Sequence, residues 1–381
     1  MATYPEGTYS PRTKANRPGV TYDATKTKVL YAEDLQNLDA EVVAIETELG
    51  TEPKGEDADV AARLDRIESE IGGGGGIPGY TLSVRRALLP INKSYFSGIN
   101  IKCLEINGDY IYDGDFTYKY IWKIDKNTLL LTAYSPAYGG NIYDIRVDDT
   151  HVYAGGATTQ KVRKYLKSDM SYVAESADYG GVISGLEIDD TYVYAAGSTI
   201  QRVRKYLKSD MSYVAESEVY GGGINKLVSD ATHIYAGGAT TQKVRKYLKS
   251  DMSYVAESAT YGDDIISLAI DDTYVYAGGY GVSAVIKYLK SDMSYVAGTK
   301  AQIGSVNALA VDDTYVYAGD SQDNSIHVYL KSDMSYVTSS KNVGSAIYCI
   351  KIDGTNVIIG TGSTGLTVFK STSIVEATPE A

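Results

Sequence analysis

Apolar positions fall into two regimes, divided at Gly72. Before it, Leu35, Leu38, Val42, Ile45 and Leu49 are spaced 3-4-3-4, and Val60, Leu64, Ile67 and Ile71 are spaced 4-3-4. Such narrow seams predict coiled-coil helices, since a globular helix carries a broader apolar face. Thr51 to Asp59, with Pro53 and Gly55, interrupts the spacing. Neither seam is long enough to hold a lone helix, so each helix needs a partner. A two-helix hairpin within one chain would supply one. A short parallel stalk built by several chains fits the narrow seams better.

After Gly72 the pattern becomes short and alternating. In residues 183–217, Ile183 to Ile188 is a strand, Asp189-Asp190-Thr191 a turn, and Tyr192 to Ala195 a second strand. Val203 to Leu207 and Ser212 to Ala215 are the third and fourth, which makes an antiparallel meander. The unit recurs. Tyr112, Tyr153, Tyr194, Tyr235, Tyr276 and Tyr317 lie 41 residues apart, and Ile358 takes the seventh place. Residues 155–176 and 237–258 are identical. One such sheet buries too little alone, whereas radial stacking covers both faces. The fold class predicted is mainly β: a seven-bladed β-propeller of 41-residue, four-stranded blades, occupying about residues 92–378. A β-solenoid is the alternative, but its turns are usually shorter. The strand-like stretch Leu82 to Leu89 precedes blade 1 and is expected to add an outer strand to the last blade.

Four segments follow: an extended arm with three prolines (1–31), the helical stalk (32–71), a Gly-rich linker (72–79) and the propeller (80–381). Composition agrees with the β reading, with 36 Tyr and 38 Gly against 3 Phe and 1 Trp. The net charge of −12 argues against nucleic-acid or anionic-membrane partners, which need a basic face. No stretch is apolar enough to span a membrane, and Met1 to Glu6 shows no secretory signal pattern.

The arm and stalk carry Tyr9-Ser10-Pro11-Arg12-Thr13, then Val29-Leu30-Tyr31-Ala32-Glu33-Asp34-Leu35, then Ile45-Glu46-Thr47-Glu48-Leu49-Gly50. This pattern resembles the attachment end of tailed-bacteriophage virion fibre and tail-appendage proteins. The resemblance covers residues 1–71. It implies a homotrimeric virion protein, assembled in the host cytoplasm. Residues 1–31 would dock on other virion proteins, and a distal domain would bind a host-surface glycan or protein. The Tyr-rich repeat lacks the Trp-Asp and Gly-His pairs of WD40 repeats.

Candidate chemistry is sparse. His151 and His233 sit where sister units have Tyr, and His327 where they have Arg163, Arg204 and Arg245, which points to structural roles. The recurring Asp148-Asp149, Asp189-Asp190, Asp271-Asp272 and Asp312-Asp313 pairs could hold calcium or serve glycoside hydrolysis. Repetition in several units favours turn chemistry instead. No phosphate loop, zinc signature or nucleophile elbow is present, so the expectation is a non-enzyme without cofactor or metal. A glycan-degrading propeller and a non-viral scaffold propeller are the alternatives. Cys103 and Cys349 occupy equivalent places in the first and last units, and two buried thiols are favoured over a ring-closing disulfide.

One face carries the connections that differ between units. Tyr138, Tyr179, Tyr220 and Tyr261, each followed by Gly, are replaced by Gln302 and Val343 in the later units. The second set holds Gln160, Gln201 and Gln242, then Tyr280-Gly281-Val282 and Ser321 to Asn324. Aromatic rings beside glycine suit sugar or protein surfaces, so these four Tyr and three Gln are the candidate receptor-binding residues. The competing role for the Tyr is to cap the inner strands.

Overall fold

The computed structural model describes residues 28–29, 80–93, 100–282, 284–300 and 304–379. β1 (Lys28–Val29) and β2 (Tyr80–Lys93) precede the repeats. Blade 1 is β3 (Ile101–Asn107), β4 (Tyr110–Asp115), β5 (Ile121–Asp125) and β6 (Leu131–Tyr134). Blade 2 is β7 (Ile142–Val147), β8 (His151–Gly156), β9 (Arg163–Leu166) and β10 (Tyr172–Glu175). Blade 3 is β11 (Ile183–Ile188), β12 (Tyr192–Gly197), β13 (Arg204–Leu207) and β14 (Tyr213–Glu216). Blade 4 is β15 (Ile224–Ser229), β16 (His233–Gly238), β17 (Val244–Leu248) and β18 (Tyr254–Glu257). Blade 5 is β19 (Ile265–Ile270), β20 (Tyr274–Gly279), β21 (Ile286–Leu289) and β22 (Tyr295–Gly298). Blade 6 is β23 (Val306–Val311), β24 (Tyr315–Asp320), β25 (Ile326–Leu330) and β26 (Tyr336–Ser339). Blade 7 is β27 (Ile347–Asp353), β28 (Asn356–Thr361) and β29 (Leu366–Pro379), with β2 paired to β29.

Residues 86–372 form one compact unit, a seven-bladed β-propeller. β2 thus supplies the outer strand expected from Leu82 to Leu89, and Leu88 is buried in a cluster with Ile350, Val357 and Phe369. In the second unit, Lys28 and Val29 pair with Ala377 and Glu376. The proposed seam residues Leu35, Leu38, Val42, Ile45, Leu49, Val60, Leu64, Ile67 and Ile71 lie outside the described residues, as does the 72–79 linker.

The core lies between blades. One cluster joins Tyr194 and Ala196 of blade 3 to Ile224, Leu227, Ile234 and Met252 of blade 4. That is why Val193 and Tyr194 are both buried although they point to opposite faces. The fourth strand is the outer one, with Tyr213 and Val214 exposed. In blades 2 to 5 the second strand ends in glycine for a steric reason. A Cβ on Gly197 would lie 1.7 Å from the Val182 carbonyl oxygen, where β11 bulges toward it.

The repeated face is a ring of staples. Asp189 Oδ1 accepts the Thr191 and Tyr192 amides, and its Oδ2 accepts the Tyr194 hydroxyl at 2.7 Å. The turn reading of the acidic pairs therefore holds. Each turn also ties blades together. Lys208 of blade 3 pairs with Asp148 of blade 2 at 2.6 Å, and Lys290 and Lys331 pair likewise with Asp230 and Asp271. Lys164, Lys205, Lys246 and Lys287 donate to turn carbonyls of the next blade at 2.6–2.7 Å. These inter-blade bonds account for the near-invariance of Asp-Asp-Thr and Lys-Ser-Asp-Met.

The same staple closes the ring, because Lys126 of blade 1 reaches Asp353 of blade 7 at 3.0 Å. Ile101, Leu104 and Ile111 pack with Ile358, Leu366 and Val368 at this junction. Cys103 and Cys349 are free thiols. Burial pushes Cys103 well above the usual thiol range and Cys349 up to about 12. Closure is thus achieved by packing and ion pairs, with both thiols protonated at neutral pH.

Candidate functional site

The four candidate tyrosines are not at the surface. Tyr138, Tyr179 and Tyr220 are 0% exposed and Tyr261 is 3% exposed. Their hydroxyls donate to the carbonyls of Lys161, Arg202, Lys243 and Ala284 at 2.5–2.7 Å. Each ring is a strut between two connections of the variable face, and none can stack on a ligand. The glycines that follow make the strut possible. A Cβ on Gly140 or Gly181 would lie 2.1 Å from the Ala157 carbonyl or 2.2 Å from Thr199 Oγ1. The capping role is the observed one, and the receptor-stacking assignment of these tyrosines is corrected. Gln160, Gln201 and Gln242 are half-buried, with φ of 51°, 59° and 55°. Their carbonyls accept the amides of Tyr179, Tyr220 and Tyr261, so they brace the same struts.

The exposed geometry lies on the axis instead. The inner strands of all seven blades enclose a cavity of about 750 Å³. Its mouth on the variable face includes Lys102, Tyr143, Asn225, Tyr348 and Tyr280, the last 46% exposed. Lys102 Nζ sits 3.0 Å above the Tyr348 ring. Deeper, one wall is ionic. Arg146 donates to Asp144 and Glu187 at 2.8 and 2.7 Å, and Lys351 pairs with Glu105 at 2.8 Å. Lys226 of blade 4 reaches Asp144 of blade 2 at 3.1 Å, past Gly185 of blade 3, which has no side chain. Burial would raise the Asp144 carboxyl, but Arg146 and Lys226 outweigh it and hold it below the usual range. The facing wall, from blades 5 and 6, is apolar: Ile266, Ala269, Ile270, Ala310 and Val311.

This lining was missed in the sequence, although a signal for it exists. Positions 105, 146, 187, 228, 269, 310 and 351 are one slot of the repeat, and read Glu, Arg, Glu, Val, Ala, Ala and Lys. Few slots differ so much between units that are otherwise near copies.

The histidines do not converge. His151 and His233 lie beside the Thr150 and Thr232 hydroxyls at 2.7 and 2.8 Å, and burial lowers both pKa values. His327 lies on blade 6, 2.8 Å from Asp323.

No protein-family model and no curated protein matches the chain. Solved structures do. The WD40 β-propeller domain of Doa1 aligns with a TM-score of 0.65 at 10% identity, covering 74% of this chain and 97% of that one. U3-55K aligns at 0.64 and 12%, covering 75% and 98%. The computationally designed Ika8 protein aligns at 0.60 and 12%, covering 74% and 99%. The likeness is one of fold alone. At such identities it says nothing of ligand or partner.

Proposed function

We propose that the chain is a non-catalytic recognition propeller, whose ligand seat is the axial cavity and its mouth on the variable face. One observation carries this reading. Blades 2 and 4 share 22 identical residues, 155–176 and 237–258, yet their cavity-facing residues differ. Tyr143, Asp144 and Arg146 in one correspond to Asn225, Lys226 and Val228 in the other. Variation is thus concentrated where a ligand would be read, on a scaffold that otherwise repeats. The charged groups in the ionic wall are paired with one another, which suits orientation of a ligand more than activation of a nucleophile.

Joined to the resemblance of residues 1–71, the reading becomes a homotrimeric bacteriophage fibre with the propeller as its distal head. Residues 1–31 dock on other virion proteins, and the head binds a host-surface glycan or protein. Three heads on one stalk turn weak contacts into avidity. A non-viral scaffold propeller accommodates the same cavity, and the arm separates the two readings. The test is binding of the full chain to arrayed bacterial surface glycans and to bacterial cells. Loss of binding in Tyr280→Ala and Tyr143→Ala, with retention in Tyr179→Phe, supports the cavity. Equal binding by all three variants overturns it. Failure of a 1–31 peptide to bind phage particles, with the head still binding ligand, leaves the scaffold reading.

A further inference from the structure

Blade 6 departs from the repeat at one corner of the variable face. In blades 2, 3 and 4, Arg163, Arg204 and Arg245 each donate across the sheet to Glu175, Glu216 and Glu257 at 2.9–3.1 Å. In blade 6, His327 takes the arginine slot and pairs across the sheet with Ser339. Two carboxylates arrive from the end of β24 and the connection after it. Asp320 stands where blades 2 to 5 have Gly156, Gly197, Gly238 and Gly279 and blade 1 has Asp115, and Asp323 follows three residues later. One donor atom from each of Asp320, Asp323 and His327 lies within 4.8 Å of the others. His327 Nε2 is 2.8 Å from Asp323 Oδ2 and 3.9 Å from Asp320 Oδ2.

The group is held and accessible at once. Asp320 is 2% exposed, and the Gly304 and Gln322 amides fix its orientation at 2.5 and 2.7 Å. The Asp323 side chain is 48% exposed, which leaves a route from solvent. Beside it, Tyr329 is 2% exposed, and its hydroxyl has no hydrogen-bond partner, as is also true of the hydroxyls of Tyr165, Tyr206 and Tyr247 at the same place in blades 2, 3 and 4; in blade 6 the phenol lies in the field of Asp320 and Asp323. In blades 2 and 4 the same phenols, Tyr165 and Tyr247, lie beside the Arg163 and Arg245 guanidinium groups. Blade 6 has therefore lost its cation and gained two carboxylates around a buried phenol.

We propose that Asp320, Asp323 and His327 bind a divalent first-row transition-metal ion, Zn²⁺ by ligand type, in place of the guanidinium of the sister blades. Two carboxylate oxygens and one imidazole nitrogen make three protein ligands of a tetrahedral site, with water as the fourth. Calcium is disfavoured because it takes about six to eight oxygen ligands and no imidazole. Binding displaces any proton on His327 Nε2 to solvent and leaves the neutral ring protonated at Nδ1. The ion would pin the 320–325 connection to β25 on the same face as the cavity mouth.

The test is calorimetric titration of the EDTA-treated full chain with zinc chloride, with melting curves alongside. We expect one site per chain of micromolar or tighter affinity, and a melting temperature raised by the ion. His327→Arg installs the sister-blade residue and so preserves the fold; it should abolish the site and its melting shift. Asp323→Asn should weaken binding at least tenfold. His151 and His233 remain in both variants and report any surface-histidine binding. No zinc heat in the parent, or equal binding by parent and His327→Arg, overturns the proposal. Saturation by calcium chloride but not by zinc overturns the ion class.

Discussion

Raising the pH tests the buried-tyrosine core without altering a residue. Tyr112, Tyr138, Tyr165, Tyr247 and Tyr288 are pushed up from 10.0 to about 12 by burial. A tyrosine whose folded pKa is raised favours the neutral form in the fold. Its contribution is fully present below the unfolded pKa of about 10 and is lost as pH rises toward the folded value. At pH near 11 each of the five has lost roughly 1 kcal/mol, and together several kcal/mol. That rivals the whole stability of an ordinary domain, about 5–15 kcal/mol. The chain should therefore unfold cooperatively between pH about 10 and 12, and tyrosinate absorbance should rise with loss of far-ultraviolet dichroism. A single smooth titration near pH 10 of all tyrosines, with dichroism intact, would refute the burial of Tyr138 and its counterparts.

Two further outcomes follow from packing. Gly197→Ala drives a Cβ to 1.7 Å from the Val182 carbonyl, so β11 and β12 must separate; the expected cost is about 3 kcal/mol in chemical denaturation. Removing residues 80–93 strips the outer strand of blade 7 and uncovers Leu88's neighbours Val357 and Phe369; the midpoint should fall by the equivalent of about 3 kcal/mol or more, and an unchanged midpoint would mean β2 does not complete blade 7.

The propeller was legible because each blade must present the same core to its neighbours. Val193 and Tyr194 recur at the period of 41 since both faces of every sheet are buried by like faces. The Asp-Asp-Thr turns were legible because an aspartate capping its own turn is local chemistry. Tyr138 and its counterparts misled for the opposite reason. A tyrosine beside glycine looks like a protruding ring until a connection 23 residues later closes over it, as Lys161 does over Tyr138. The ionic wall was harder still, since Lys351 and Glu105 lie 246 residues apart and meet only when the ring closes. The blade 6 cluster is local, since Asp320, Asp323 and His327 lie within eight residues; His327 was visible as a substitute for arginine, but its meeting with both carboxylates depends on how the connection between β24 and β25 folds back.

The binding claim rests on the cavity mouth, and one comparison tests it most directly. Full-length parent, Tyr280→Ala, Tyr143→Ala and Tyr179→Phe chains are applied side by side to bacterial cells and arrayed bacterial surface glycans. The parent and Tyr179→Phe should bind, and both mouth variants should fall at least tenfold. Binding that survives both mouth substitutions, or a parent that binds no cell and no glycan, would contradict the claim.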